Sequence, residues 1–334
     1  MSFIVPKEYK SFLTVRQTQK AVKIIKDVFE IELSKMLNLE RVSAPLFVFK
    51  DTGLNDDLNG VETPVSFQFD GKKAEIVHSL AKWKRNALHN YNFEPYRGLY
   101  TDMNAIRADE IPDNFHSIYV DQWDWEVVIN ESDRNIEFLK ETVKKIVTAI
   151  RDTWEILNKT YAKAQNLFTH DNDVFFITTQ ELEDMFPNLS PKEREEAITK
   201  EHPIVFIMQI GDLLKSGVKH DGRAPDYDDW QLNGDLIYRF DPLDTAIEIS
   251  SMGIRVDKKA LEEQLKKANA EDRRNLPFHK ALLNGELPFT IGGGIGQSRL
   301  CMLLLQKAHI GEVQVSLWDK ETLSECKKYG IELL

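Results

Sequence analysis

The segment T-I-G-G-G-I-G-Q-S-R-L-C-M-L-L-L-Q, residues 290–306, constrains this chain more than any other stretch. Glycines at 292, 293, 294 and 296 leave a backbone without Cβ atoms, so it can pass close to a flat or charged ligand. The apolar run Leu300–Leu305 that follows reads as a helix too short to span a membrane. A Walker phosphate loop needs a lysine directly after its glycines, and none follows here. A dinucleotide fingerprint needs a helix opening on the pyrophosphate and an acid about 20 residues further on inside a strand-helix-strand unit, and this segment leads only to the C-terminal residues. Two readings are left. In one, a strand admits a planar group beneath the Arg299 guanidinium, held by stacking and cation–π contact. In the other, a glycine hairpin packs on the core and Arg299 is solvated.

The 334 residues admit two average domains or one large one, and a 42% hydrophobic content is ample for a core. The net charge of -11 argues against a nucleic-acid backbone as main partner. An anionic substrate therefore has to be drawn by a local positive site, for which Lys82, Lys84, Arg85, Arg107, Arg255 and Arg299 are the candidates. Two cysteines, Cys301 and Cys326, are too few for a disulfide framework or a thiolate metal site. The N-terminus M-S-F-I-V-P-K-E-Y-K lacks a signal-peptide core, and no apolar stretch approaches about 18 residues. The expectation is a cytoplasmic protein with no membrane partner.

In chain order, residues 8–37 carry a helical period through Val22, Ile25, Phe29, Leu33 and Met36, widened by Val15, Ile24 and Val28. Leu39–Phe47 follows as an extended edge segment in which Pro45 is tolerated, an arrangement equally suited to a dimer contact or to intrachain core. Two short strands around Asp70-Gly71 predict a hairpin. Ser79 reads as the cap of a helix with Leu80, Trp83 and Ala87 on one face and Lys84 beside it. In the strand resuming after His116, Tyr119, Asp121, Trp123 and Trp125 share one face and Val120, Gln122, Asp124 and Glu126 the other. The first set looks like core, and the second is a polar strip facing solvent or flooring a polar pocket. Residues 134–165 read as a long structural helix, and Ser190-Pro-Lys-Glu193 as a capping box opening another. An acid-dense loop, 222–230, feeds the strands 232–240 and 245–255. Glu248 and Ser250 share a face of the latter by alternation. Asp235 and Glu248 on adjacent strands offer oxygen ligands to a hard cation such as Mg2+, or are surface acids. The order of strands, hairpins and long helices predicts an α+β fold with a mostly antiparallel sheet flanked by helices.

Several stretches together resemble the ammonia-dependent asparagine synthetases, the aspartate–ammonia ligases built on the catalytic fold of class II aminoacyl-tRNA synthetases. They are H-S-L-A-K-W-K-R (78–85), Y-V-D-Q-W-D-W-E (119–126), R-A-P-D-Y-D-D-W (223–230), L-N-G-D (232–235), S-S-M-G-I-R (250–255) and T-I-G-G-G-I-G-Q-S-R (290–299), spread over nearly the whole chain. The resemblance implies one catalytic domain, 1–334, with a helical insertion at roughly 131–203. It maps Leu39–Phe47 onto the dimer-forming first motif, Arg107 with Glu110 onto the second, and Gly292–Arg299 onto the third. By that mapping Arg107 binds the α-phosphate of ATP, Arg299 stacks on adenine, and Asp235 with Glu248 holds Mg2+. His116, Val120, Ser250, Arg255 and Gly294 complete the nucleotide side. Ser79, Lys84, Gln122, Asp124, Asp228 and Ser251 bind the amino acid, with Lys84 matched to its α-carboxylate and Asp124 to its α-amino group. Arg107, Gln122 and Asp56 are the implied catalytic residues, Asp56 taking the proton of ammonium. One departure is a short link between Trp230 and Leu232 where a longer loop is expected to close the pocket.

The implied reaction joins L-aspartate and ammonia with ATP in a homodimer. Position 2 is serine and no cysteine precedes 301, so an N-terminal nucleophile of the glutamine-hydrolysing type is not expected, and free ammonia is the nitrogen source. A class II paralogue that activates aspartate or asparagine for tRNA is the alternative. It is disfavoured by motifs that begin near residue 39 and by the acidic balance. A catalytically silent paralogue has no need to retain Arg107, Asp235, Glu248 and Arg299 together.

Overall fold

Helix α1 begins where side chains can satisfy its open amides. Thr14 and Gln17 form a reciprocal capping box, and α1 runs Val15–Leu37 until Asn38 closes it in left-handed geometry. The helix expected from residue 8 therefore starts at Val15, which is itself exposed, while Ala21, Ile25, Phe29 and Leu33 are buried. The computed structural model describes residues 3–56, 62–161 and 173–334.

Edge strand β1 (Leu39–Arg41) and β2 (Phe47–Phe49) follow, then the hairpin β3 (Ser66–Phe69) and β4 (Lys72–Ile76). Its turn is Asp70-Gly71 as expected, both at positive φ (49° and 71°), which only such residues adopt readily. Helix α2 (Ala81–Asn90) starts later than predicted, with Leu80 at its cap position, and the Ser79 hydroxyl accepts the Ala81 amide at 3.1 Å. The central strands β5 (Gly98–Ile106) and β6 (Tyr119–Val128) precede α3 (Ile136–Thr160); residues 162–165 of the predicted long helix lie outside the described residues. The stretch read as a helical insertion also holds a strand, β7 (Phe175–Thr178), and α4 (Thr179–Met185), ahead of α5 (Pro191–Glu201). The capping boxes of α4, Thr178 with Glu181, and of α5, Ser190 with Glu193, are both formed. Then come β8 (Ile204–Met208), β9 (Asp228–Phe240), β10 (Thr245–Arg255), α6 (Lys258–Lys267), α7 (Pro277–Leu283), β11 (Thr290–Gly296), α8 (Gln297–Leu305) and α9 (Lys320–Lys328). The link between Trp230 and Leu232 is interior to β9, and the predicted acidic loop yields its last residues, Asp228–Trp230, to that strand.

The main sheet has the order β1-β5-β6-β11-β10-β9-β8-β7, and β2-β4-β3 form a small second sheet. Only the outer pairs β1–β5 and β7–β8 are parallel. The expected α+β architecture with a mostly antiparallel sheet is what forms. The glycine segment β11 is a central strand between β6 and β10, not a hairpin. One sheet face carries the main core, where Phe29 of α1 meets Trp123 at 4.7 Å between ring centroids and the apolar residues of α3 and α8 fill in. The opposite face carries polar groups together with smaller apolar clusters, such as Leu99 and Val128 against Ala87 and Leu88 of α2.

Near the C-terminus, Nδ1 of buried His309 accepts the Gly311 amide proton at 3.0 Å, which fixes its neutral form. Burial pulls its pKa from 6.5 down to about 4, with Asp113 opposing. The unfolded chain thus binds a proton that the fold refuses, so this contribution is complete above the unfolded value and is lost as pH falls toward the folded one. The loss is about 3 kcal/mol between those two pH values. H309N retains an acceptor for Gly311 and should flatten that part of a urea-midpoint-versus-pH curve; an unaltered slope contradicts the assignment.

Candidate active site

Strands β6, β10 and β11, with the first turn of α8, floor a cavity of about 440 Å3. Alternation on β6 aims Gln122 and Asp124 into it and Glu126 beneath it, so the polar strip is pocket floor and not a solvent face. Register pairs Gly292 with Glu126 and Gly294 with Asp124. A Cβ at 292 would collide with the Glu126 carboxylate and with Arg255 Nη2, and one at 294 with Gln122 and Asp124. The glycines are therefore needed to admit side chains of the neighbouring strand, where the sequence reading assigned them to close approach of a ligand.

Of the groups so accommodated, Asp124, Glu126 and Arg255 are buried and charged. Arg255 donates through Nε (2.9 Å) and Nη2 (2.6 Å) to Glu126 and through Nη1 to Asp228, and the Thr290 hydroxyl donates to Glu126 at 2.7 Å. Burial pushes the Glu126 carboxyl up, but Arg255 and Lys84 outweigh it and hold the group below its ordinary value. Arg255 lines the cavity and is paired with two acids, Glu126 and Asp228. Lys84, read as lying beside an apolar helix face, is 1% exposed and reaches Asp124 at 3.1 Å and the Gly293 carbonyl at 2.9 Å. Burial lowers its pKa, with Asp124 opposing. Asp124 Oδ1 is buried without a hydrogen-bond partner among the described residues. Ser79, Asp56, Asp228 and Ser251 also line this end of the cavity.

At the other end stand Arg107, Glu110, His116, Val120 and Arg299, while Gly294 lies beside Asp124. Arg107 makes one long contact, Nη2 to the His78 carbonyl at 3.5 Å, and its Nε is buried without a partner among the described residues. Arg299 reaches the Phe115 carbonyl at 3.5 Å and the Glu248 carboxylate at 3.4 Å. Ser250 is not in the wall. A β-bulge between Glu248 and Ser250 breaks the alternation, which turns Ser251 into the cavity and buries the Ser250 hydroxyl elsewhere. Asp235 is also absent from the wall. Arg223, which lines it, donates to Asp235 at 2.6 Å and to the Ser251 hydroxyl at 2.7 Å. Burial pushes the Asp235 carboxyl up to about 7, Arg223 opposing and Glu248 and Asp221 adding to the rise. No cluster of three or more metal-ligating side chains occurs among the described residues. Sequence reasoning left Asp221, Arg223 and Tyr227 unassigned, although all line the cavity. A single arginine within an aspartate-dense run was the signal for Arg223.

A family model for aspartate–ammonia ligase matches residues 16–330. The chain belongs to that family. It is 60% identical to the aspartate–ammonia ligase of Ruminiclostridium cellulolyticum, covering 100% of this chain and 99% of that protein. It is likewise 60% identical to that of Clostridium tetani, covering 99% and 97%. Among solved structures it is similar to asparaginyl-tRNA synthetase of Entamoeba histolytica in complex with asparaginyl-adenylate. The TM-score is 0.68 at 14% identity, covering 90% of this chain and 66% of that one. The enzyme of Pyrococcus horikoshii complexed with asparaginyl-adenylate gives a TM-score of 0.65 at 14% identity, over 91% of this chain and 70% of that one. These two show the class II synthetase fold.

For this member of the aspartate–ammonia ligase family, the glycine strand yields a direct test. G292A should cost on the order of 1–3 kcal/mol or more through overpacking against a buried carboxylate. G296A should cost less, because the nearest atoms there are the flexible Arg299 side chain at 3.2 to 3.6 Å. Urea titration that ranks the two variants the other way contradicts the packing argument.

Proposed function

We propose that this cavity makes L-asparagine from L-aspartate, ammonia and ATP through a β-aspartyl-adenylate, releasing pyrophosphate and AMP. The observation that carries the reading is a buried lysine–aspartate pair at one end of a cavity whose other end holds two loosely tethered arginines. A zwitterionic α-amino acid suits the first end. Its ammonium meets the unpartnered Asp124 oxygen and its α-carboxylate meets Lys84. A nucleotide suits the second end, with the Arg107 Nε–H directed to the α-phosphate and Arg299 stacked on adenine.

A carboxylate does not form an amide directly at neutral pH, because oxide would have to leave. In the first step a β-carboxylate oxygen bonds to the α-phosphorus and the bond to the bridging oxygen breaks, expelling pyrophosphate. Arg107 offsets the charge growing on the phosphoryl oxygens, the largest contribution in such transfers. Gln122, beside Asp124 on the floor, supplies an amide for holding the β-carboxylate. In the second step ammonia bonds to the acyl carbon, the C–O bond to phosphate breaks and AMP leaves. Ammonia is mostly ammonium near pH 7, so a buried acid at the cavity wall both attracts the cation and takes its proton; its burial in that wall supports Asp56 in this role.

Asp235 and Glu248 are the residues that would hold Mg2+. Magnesium takes one or two carboxylates and completes its shell with water and phosphate. Burial is the main cause of the raised Asp235 carboxyl, with Glu248 and Asp221 adding to it and Arg223 opposing. When bound, the ion would supply positive charge to the triphosphate.

Leu46, Phe47, Phe67 and Phe69 are 41 to 63% exposed on and beside the small sheet, which supports a homodimer through the first-motif region. Both cysteines are buried and free, and no helix among the described residues is long and apolar enough to cross a membrane. These features agree with a cytoplasmic site of action. The tRNA-charging reading is the weaker one, since 60% identity leads to ligases and 14% to the synthetases.

The test is aspartate-dependent pyrophosphate exchange without tRNA, then asparagine formation with ammonium but not glutamine. Exchange that requires tRNA overturns the proposal. D56A should leave exchange within about threefold while asparagine formation falls by roughly 10²–10⁴, and parallel loss in both assays removes Asp56 from the proton-transfer role. R107A should lower both by about 10²–10³.

A further inference from the structure

Alternation along β6 puts one carboxylate where apolar side chains belong. Tyr119, Asp121, Trp123 and Trp125 share the face turned toward the helices; both tryptophans are fully buried, while Tyr119 and Asp121, at the start of the strand, also reach the edge of the cavity. Asp121, 7% exposed, gathers four donors there. They are the Lys26 ammonium of α1 at 3.0 Å, the Ser298 amide at 3.1 Å, the Ser298 hydroxyl at 2.9 Å and the Gln314 side-chain amide at 3.1 Å.

The Ser298 amide belongs to the first turn of α8, whose own cap residue, Gly296, has no side chain to satisfy it. Asp121 therefore supplies from another strand the negative group that a helix start favours. Gln297, in the same turn, donates to Asp102 at 3.0 Å and to the Gln122 carbonyl at 3.3 Å. Arg299 comes next in the chain. Its guanidinium contacts are all 3.3 to 3.5 Å, long for hydrogen bonds. The path by which Arg299 leaves the helix is thus set by the Gln297 side chain and the Ser298 backbone, both pinned to neighbouring strands, more than by anything at its tip.

We infer that Asp121 is a positioning residue for the nucleotide, locking the first turn of α8 to β6 so that Arg299 stands over the purine, with Lys26 of α1 as the outer member of the same lock. The inference rests on the proposed role of Arg299 as the adenine-stacking residue. D121N keeps the side-chain shape but removes the charge that faces an ammonium and a helix start.

The test compares steady-state pyrophosphate exchange in D121N, K26M, K26R and R299A. KM for ATP should rise about fivefold to tenfold in D121N, the size of a lost helix-capping contact. It should rise less in K26M and return toward the wild-type value in K26R, while KM for aspartate stays within about twofold throughout. R299A should raise KM for ATP at least as much as D121N. If R299A does so but D121N and K26M leave that constant unchanged, or raise both substrates' constants equally, the positioning role is overturned. If R299A itself leaves KM for ATP unchanged, the adenine reading fails and the inference with it. Should D121N not fold, K26M against K26R decides the matter, since Lys26 is partly exposed on the outer helix.

Discussion

The buried carboxylate of Glu126 is the constraint around which the rest of this structure is arranged. Its side chain is fully enclosed in a sheet, where an isolated charge would cost many kcal/mol. It is tolerable because Arg255 meets it through two nitrogens and the Thr290 hydroxyl supplies a further donor. Arg255 in turn holds Asp228, and Lys84 lies 4.0 Å from Glu126 while bonding Asp124. Charges from β6, β9, β10 and α2 therefore close on one another. The only backbone that can run through the middle of them is one without side chains, which is why β11 is glycine at 292 and 294.

That network gives the cavity two unlike ends. At the Lys84–Asp124 end the buried ammonium is held by Asp124 at 3.1 Å and the Gly293 carbonyl at 2.9 Å, so the pair is oriented before a ligand arrives. At the Arg107–Arg299 end the guanidinium groups touch mainly carbonyl oxygens at 3.3 to 3.5 Å, leaving them able to settle onto a phosphate or a ring. Glu248 there faces Arg299 at 3.4 Å, and although burial pushes its carboxyl up, Arg299 and Arg223 hold it below its ordinary value. In the proposed function, a rigid end for the small substrate and an adjustable end for the nucleotide fit a reaction in which a carboxylate must be brought onto phosphorus.

Much of this was readable from residue order alone. Alternation on β6 assigned Asp124 and Glu126 to one face, the Asp70-Gly71 turn named its hairpin, and Ser190-Pro191 opened α5 where it does. Failures have local causes. The bulge on β10 inverts which of Ser250 and Ser251 faces the cavity, and no feature of the single strand announces it. Residue spacing places Lys84 only beside the apolar face of its helix, and its full burial against Asp124 depends on what lies opposite. Asp121 sits on the apolar face of its strand for the same kind of reason, its four donors coming from segments more than 90 residues away or more.

Sequence by itself determined the elements, their alternation, the family and the set of charged residues that any site here must use, because these depend on neighbours a few positions apart. Tertiary structure alone decided which charges neutralise one another and which are left for a ligand. Arg255 and Arg107 look alike in the chain, but pairing across β6, β9 and β10 joins the first to two acids and leaves the second with an open donor. Coulomb energy and desolvation are functions of distance in space and access to water, and a linear order of residues contains neither.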